Sequence, residues 1–399
     1  RFWWRALYGK KYSNVQNLKK AEYALWGGLG SVRKEDSFPS MVKVWVTDVF
    51  NITRTDIDET DISLGTSEGY VLWPARGEKD KQNKNKYTVP PAPRYNPGIS
   101  FTLNMEYPKS KKEEIQNTLR AWILFGGYGS RTRRGVGSLT VQNEAEREIW
   151  LPKECTRQEF ERLFPGIGLF DSNREGLDFP VLQEVRMWKG SENEKALDAW
   201  TAAVGWLRDF RQKDAPDKSV NSDYARCAGS DPKNSKKAGR SNWPEPDKVR
   251  HLRKATTKHI PRYSATPCFP RAGFGLPIVS NPPDAQKEFG GPFEIVWWDQ
   301  EKQMHDRLAS PLIIKALPLA NGKYISFALW LTRRYPQKGK VGLKDKSSNT
   351  ADFDTLLAPS DSGEFIYKYL VNANTQPDGK RLQAAFAEWL GAQKVKEVQ

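Results

Sequence analysis

The chain has 399 residues, enough for two or three domains and for a hydrophobic core that needs no covalent support. Its 63 basic residues outnumber 48 acidic ones, and the resulting net charge of +15 makes a polyanion the expected partner. Three widely separated cysteines argue against a secreted disulfide framework, and no apolar run is long enough to span a membrane; both features favour a reducing cytoplasm.

The first half of the sequence predicts a ferredoxin-like (RRM-like) domain. In chain order we expect a helix at 1–8, a strand over 42–46, an exposed Pro-, Lys- and Asn-rich loop at 74–97, a strand over 99–106, a helix over 110–125, a glycine-rich loop at 126–137 and a strand from Leu139. One more strand before Arg1 would complete the β-α-β-β-α-β order of this fold. We therefore expect native residues upstream of Arg1, including that first strand.

The second half is predicted to contain a similar set of strands and helices around a basic segment. Strands are predicted at 180–188, 293–298, 311–317 and 323–332, with helices over 197–213 and around Leu382, Phe386 and Leu390. Residues 214–271 hold 13 basic and 6 acidic side chains, so much of the net charge is concentrated there. The prediction is an α+β protein with ferredoxin-like domains over 1–150 and 151–399, and with a large basic insertion, 214–275, in the second.

The glycine-rich loop carries the most specific signal. Two Gly-x-Gly pairs enclose three arginines, and these candidate RNA-binding residues are Gly127, Gly129, Arg131, Arg133, Arg134, Gly135 and Gly137. Glycine allows close backbone approach, and arginine offers forked donors that match phosphate oxygens. A dinucleotide-binding loop is the rival interpretation, but that loop follows a strand and opens a helix, whereas this one follows a helix.

The first helix is a second candidate RNA surface. Arg1, Trp4, Arg5 and Tyr8 share one helical face and could pair with phosphates and stack on bases. Aromatic stripes are more often part of a core, so burial of Trp4 and Tyr8 stays open as the alternative.

The basic insertion is the third candidate. Its predicted RNA-binding residues are Trp243, Arg250, His251, Arg253, Arg262 and Arg271. A solvated loop without a ligand is the alternative. The same segment contains possible zinc ligands, Cys227, His251, His259 and Cys268, although it lacks the closely spaced Cys or His pairs that are typical of zinc sites.

The sequence offers little for catalysis. It contains three histidines and none of the common hydrolase or metalloprotease motifs, and the adjacent pair His305-Asp306 reads as a surface or capping pair. We therefore expect a binding protein, with no cofactor and no small-molecule substrate.

Several segments together resemble a known family. The Gly-x-Gly-x5-Gly-x-Gly pattern of 127–137 after a helix is similar to the glycine-rich loop of the RAMP proteins of CRISPR systems. The other matching segments, which resemble the subunit-one RAMP family of the type III-B (Cmr) effector complex, are Arg1-Phe2-Trp3-Trp4-Arg5-Ala6, Trp243-Pro244-Glu245-Pro246-Asp247, 269–277 and Arg307-Leu308-Ala309-Ser310-Pro311-Leu312. The last of these adds Arg307 to the candidate RNA-binding residues.

This resemblance implies a role. A member of this family would be a non-catalytic capping subunit. It would contact the 3′ region of guide RNA, or the paired target RNA, beside neighbouring RAMP subunits. Two alternatives stay open: a RAMP-type endoribonuclease that processes guide precursors with His251 or His259, and a scaffold whose basic surface contacts only acidic partner subunits.

Overall fold

The computed structural model describes most of the chain. The described residues are 1–12, 14–28, 38–56, 66–80, 82–83, 85–171, 177–212, 230–231, 234–238, 241–254, 261, 263–281, 286, 289–362 and 366–399, with 55–56, 212, 230–231 and 234–238 described by their backbone alone. They form two compact units. The first unit comprises 1–205, 313–332 and 397–399, and the second comprises 206–312 and 333–396.

Both units contain helices and strands, which confirms the predicted α+β class. The helices are α1 Phe2–Tyr8, α2 Val15–Trp26, α3 Ser67–Leu72, α4 Lys112–Phe125, α5 Glu144–Trp150, α6 Arg157–Leu163, α7 Ala196–Gln212, α8 Glu245–Arg253, α9 Lys368–Ala373 and α10 Arg381–Ala392. The strands are β1 Lys43–Phe50, β2 Arg54–Asp56, β3 Glu78–Lys79, β4 Tyr87–Val89, β5 Pro93–Tyr95, β6 Ser100–Glu106, β7 Val181–Asn193, β8 Ser230–Asp231, β9 Asn234–Ala238, β10 Ile278–Ser280, β11 Phe293–Trp298, β12 Met304–His305, β13 Leu312–Pro318, β14 Tyr324–Thr332, β15 Lys340–Leu343, β16 Thr350–Asp352 and β17 Lys396–Glu397.

The main sheet of the first unit has four strands in the order β13-β14-β7-β17. Strands β14 and β7 are antiparallel, with Ala328 opposite Trp188. Strand β13 is buried along its whole length, which explains its nearly continuous apolar sequence. Strands β1 and β6 form a separate antiparallel pair, in which Val46 lies opposite Leu103.

The core of the first unit forms where α1 and α4 pack with β7 and β14. Helix α4 buries Ile115, Ala121, Leu124 and Phe125, which recur at helical spacing. Phe125 is the centre of an aromatic group, because its ring lies 5.8–6.2 Å from other phenylalanine rings, those of Phe160, Phe164 and Phe327. These contacts fix the C-terminal end of α4, where the glycine-rich loop begins.

The second unit contains a five-stranded sheet and an aromatic core. The strand order is β10-β11-β15-β16, and β12 also pairs with β11. Phe210 lies at the middle of the aromatic core, with Trp243, Tyr367, Phe386 and Trp389 within 5.8 Å of its ring centroid. A second cluster, which includes Val249 and Phe269, packs around β11 and β15.

Two predictions about the first half need correction. The segment after the glycine-rich loop forms no strand at Leu139 and Val141; it runs in irregular conformation to Asn143, whose side chain caps α5. Residues 74–97 are not a plain loop, because they contain β3, β4 and β5. The predicted domain boundary at residue 150 stays a prediction; in the structure, 151–205 lie in the first compact unit.

Candidate nucleic-acid interface

The glycine-arginine loop, residues 126–137, leaves α4 and folds back on itself. The Tyr128 amide donates a hydrogen bond to the Gly137 carbonyl over 2.9 Å and closes the base of the loop. Gly137 has φ of +67°, and a Cβ there would collide with the Tyr128 carbonyl oxygen. Only glycine suits this position, because a side chain would force the two strands of the loop apart.

Side chains from three elements hold the loop by its carbonyl groups. Lys315 of β13 donates from Nζ to the Ile123 and Gly126 carbonyls, each over 3.0 Å. The indole N–H of Trp122 donates to the Gly127 carbonyl over 2.9 Å, and that of Trp200 donates to the Arg134 carbonyl over 2.7 Å. Carbonyls at the end of a helix lack intrahelical partners, so Lys315 supplies donors where α4 needs them.

Lys315 is buried completely, and this has an electrostatic consequence. Burial lowers the pKa of its amine to about 7. A neutral amine has two N–H donors, which match the two carbonyls, whereas an ammonium would place a third donor in the same enclosed space. The loop is therefore attached to the sheet by a lysine whose charged form is disfavoured by burial.

The tip of the loop faces solvent. Tyr128 is 77% exposed, and Ser130 and Arg131 are exposed beside it. Arg131 adopts a left-handed backbone conformation with φ of +57°, which is uncommon for a residue with a side chain. Among the described residues its guanidinium has no ion-pair partner. The tip thus presents one aromatic ring and one positive charge to the solvent.

The N-terminus of α1 adjoins this tip. The Arg133 guanidinium lies 5.3 Å from the centre of the Phe2 ring, and Arg133 and Arg134 are both partly buried. Arg1 is exposed at the start of the same helix, with its guanidinium donating to the Trp26 carbonyl over 2.6 Å. We call the surface formed by these groups the loop–helix surface; its members are Arg1, Phe2, Tyr128, Arg131, Arg133 and Arg134.

The stacking role predicted for Trp4 is not supported. Trp4 is 1% exposed and packs against Tyr8 and Tyr12, and its indole N–H donates to Glu114. The ring has no free face for a base, so the alternative of a core residue is the correct one. Arg5 is half exposed, but its guanidinium pairs with Glu22 at 3.4 Å.

Trp243 also needs correction. It is 1% exposed, its indole N–H donates to the Phe210 carbonyl over 3.2 Å, and its ring meets Phe210 edge-on at 5.2 Å. It is part of the second unit's core, and no base could reach it without unfolding that core.

The basic groups of α8 are used inside the second unit. Arg250 is 6% exposed and pairs with Asp247 at 2.6 Å. Arg253 pairs with Asp345 at 2.9 Å and also donates to three backbone carbonyls. These contacts argue against the predicted RNA-binding roles of both arginines, because their donors hold the unit together.

Arg271 and His251 have internal partners as well. Arg271 lies 3.2 Å from Glu245, a fully buried carboxylate, and the His251 ring nitrogen lies 2.9 Å from the Tyr263 carbonyl. Arg307, by contrast, is exposed. Arg262 lies outside the described residues.

The predicted zinc ligands do not come together in the described part of the chain. Cys227 and His259 lie outside it. Cys268 is buried with its sulfur 3.8 Å from the Leu356 carbonyl, and burial raises the pKa of its thiol. The described residues hold no group of three or more His, Cys, Asp or Glu side chains placed for a metal ion.

His305 pairs with Asp299 rather than with its neighbour Asp306. Its ring nitrogen lies 2.8 Å from the Asp299 carboxylate, and its ring stacks on Trp297 at 4.2 Å. The hydrogen bond from His305 lowers the pKa of Asp299.

Within the described ranges, no helix combines the length and apolar character that crossing a membrane requires.

Comparison with known proteins finds a match for the N-terminal segment. Residues 1–140 match the model of the RAMP superfamily, which confirms the predicted resemblance over this part of the chain. The matched segment contains the whole glycine-arginine loop and α1. No curated protein sequence matches the chain.

One of the solved structures that match covers most of the chain. It is Cmr1 from Pyrococcus furiosus in its apo form, with 14% sequence identity and a TM-score of 0.44 over 84% of this chain and 78% of that one. A likeness of this degree establishes neither a shared fold nor a shared function.

Proposed function

We propose that the chain is a non-catalytic RNA-binding subunit that caps a type III-B CRISPR effector complex at the 3′ region of its guide RNA. The observation that carries the proposal is the loop–helix surface, where three arginines and an exposed ring are grouped on a rigidly anchored loop. The RAMP superfamily match supports it, because that match ends just beyond this loop. Partners would be guide RNA, paired target RNA and neighbouring RAMP subunits.

The contacts would be largely independent of RNA sequence. Guanidinium groups on a loop recognise phosphate oxygens, and phosphates carry no sequence information. In an RNA-guided complex, base pairing supplies the specificity, so a subunit of this kind needs only to hold the strand. Arg131, Arg133 and Arg134 would bind phosphates, with Arg1 beside them.

The domain architecture that goes with this role stays a prediction. We propose two ferredoxin-like domains, of which β1 and β6 would be the second and third strands of the first. Their antiparallel pairing, with Val46 opposite Leu103, supports this assignment. The irregular segment at Leu139 and Val141 does not, since the last strand is expected there.

A binding role is proposed in preference to ribonuclease activity. His251 and His305, the two described histidines, each have an internal partner within 2.9 Å. A hydrogen bond at one ring nitrogen does not prevent the other from acting as a base, so the preference rests on the loop–helix surface, which groups several basic side chains, and not on these two contacts. Incubation of the protein with guide-precursor RNA tests this choice: intact RNA is expected, and cleavage lost in His251→Ala would reverse it.

Removing the three loop arginines together should weaken RNA binding. We expect Arg131→Ala/Arg133→Ala/Arg134→Ala to bind a labelled single-stranded RNA roughly 50-fold less tightly at physiological salt. The slope of log affinity against log salt should decrease by about 2, because three phosphate contacts are lost. Fluorescence anisotropy over a salt series measures both quantities.

A control variant with the same loss of charge separates the effect of the arginines' position from the effect of total charge. Lys346→Ala/Lys380→Ala/Lys396→Ala removes three positive charges from exposed sites outside the loop. This variant should bind RNA nearly as well as the wild type. If the loop variant binds as tightly as the lysine variant, the loop–helix surface is not the RNA site.

A further inference from the structure

We propose that Tyr128 stacks on an unpaired nucleobase, so that the glycine-arginine loop takes single-stranded RNA in preference to duplex. The inference rests on the proposed function and deepens it, because it names which form of RNA the loop holds. It follows from the position of one ring relative to the anchored backbone around it.

Tyr128 occupies the middle of the first Gly-x-Gly pair and points outward. It is 77% exposed, whereas Val136, at the same place in the second pair, is partly buried. The two pairs lie side by side, joined by the Tyr128 amide and the Gly137 carbonyl. One pair therefore packs inward and the other offers its ring to the solvent.

The backbone that bears the ring is held in place. The Gly127 carbonyl accepts from the Trp122 indole N–H, and the next carbonyl before it, that of Gly126, accepts from Lys315. A ring on a fixed backbone loses only its side-chain rotation when it binds, so the entropic cost of stacking is small. Gly129, the next residue, has φ of +91°, and a Cβ there would meet only open space beyond its chain neighbours.

The charges beside the ring match a nucleotide. Arg131 is exposed three residues from Tyr128, and Arg133 lies on the Phe2 side of the loop. A base that stacks on the ring would bring its own phosphate toward these guanidiniums, as in sites that combine aromatic platforms with basic grooves. In a duplex both faces of each base are already stacked on neighbours, so only an unpaired or terminal base can use Tyr128.

The experiment uses the full-length protein and two RNA probes. One is a single strand with 2-aminopurine at one position, and the other is the same strand annealed to its complement. Stacking on the ring should quench 2-aminopurine fluorescence in the single strand. Tyr128→Ala should weaken single-strand binding by about 5- to 150-fold and keep the salt slope of the wild type. Duplex binding should fall much less, because only the terminal bases of a duplex can stack on the ring.

Matched variants separate stacking from structural damage. Tyr128→Phe keeps the ring and should bind like the wild type. Tyr95→Ala removes another exposed tyrosine, on β5, and should have no effect. If Tyr128→Ala binds single strands as tightly as the wild type, or loses single-strand and duplex binding equally, the stacking role is refuted.

The same variants test the proposed function separately from the stacking role of Tyr128. If the arginine triple variant binds RNA normally, the loop is not the RNA site, and the function itself is refuted. If the triple variant loses binding but Tyr128→Ala does not, the function stands and the stacking inference alone is wrong.

Discussion

Replacing Asp361 with alanine should lower the free energy of unfolding of the second unit by about 3–5 kcal/mol. Asp361 accepts hydrogen bonds from Lys248 at 2.7 Å and 2.9 Å, from the Ser264 hydroxyl and amide, and from the Ala358 amide. The side chains of Lys248 and Asp361 are wholly buried. The variant would leave an ammonium and two amide donors enclosed without their acceptor, which explains the large loss.

Denaturant unfolding of the purified protein measures this loss, and an exposed pair provides the control. Lys340 and Asp352 lie 2.6 Å apart but are 48% and 68% exposed. Asp352→Ala should cost less than about 1 kcal/mol, because water solvates the remaining lysine. Equal effects of the two aspartate variants would show that burial does not set the strength of the Lys248–Asp361 interaction.

Replacing Lys315 with methionine should destabilise the first unit by about 2–4 kcal/mol at pH 9, because one buried and one partly buried carbonyl lose their donor. The effect should depend on pH in a defined direction. Burial lowers the Lys315 pKa from 10.5 to about 7, so between these values the unfolded chain holds a proton that the folded chain has released. Stability from this group therefore rises with pH, by up to about 1.4 kcal/mol per unit, and levels off above 10.5.

The difference between wild type and Lys315→Met, measured by denaturant unfolding from pH 6 to 10, isolates this group from other titrations. It should widen as pH rises through 7. Lys189→Met is the control, because Lys189 is partly exposed and its amine donates to one carbonyl, that of Cys155, at 2.7 Å among the described residues. A difference that is constant across this range would mean that Lys315 stays protonated in the folded protein.

Local patterns were a good guide to individual elements. Alternating or continuous apolar runs predicted β7, β11, β13 and β14 within a few residues, since burial requires those patterns wherever the partner strand lies. The strand predicted at Leu139 is not formed, because an apolar pattern alone does not make a strand. Two apolar residues at alternate positions suffice for the pattern, but a strand also needs a pairing partner, and only the tertiary structure determines that.

Charge was the least reliable guide to the site. Counting lysines and arginines made 214–275 the most basic segment, yet Arg250 and Arg253 are bound to acidic groups of the same unit. Part of this was visible in the sequence: Asp247 and Arg250 stand three residues apart, the spacing of a helical ion pair. The partner Asp345 is 92 positions from Arg253 in the sequence, and no local pattern connects the two.

The composition of the glycine-arginine loop was predictable from the sequence, but the contacts that anchor the loop were not. Its glycines and arginines were evident, because close turns and phosphate contacts demand those residue types. The roles of Lys315 and Trp200 were not, since they lie far along the chain from the carbonyls that they hold. A single lysine within the apolar run Leu312–Pro318 was the one available sign that a buried polar partner exists.

Ultraviolet crosslinking of the full-length protein to a single-stranded guide RNA, followed by mass spectrometry of the attached peptides, tests the central claim most directly. We expect the main crosslinked peptide to come from 126–137, with the nucleotide on Tyr128, and a second to come from the start of α1. Crosslinks confined to the basic segment 241–271, with none in the loop, would contradict it.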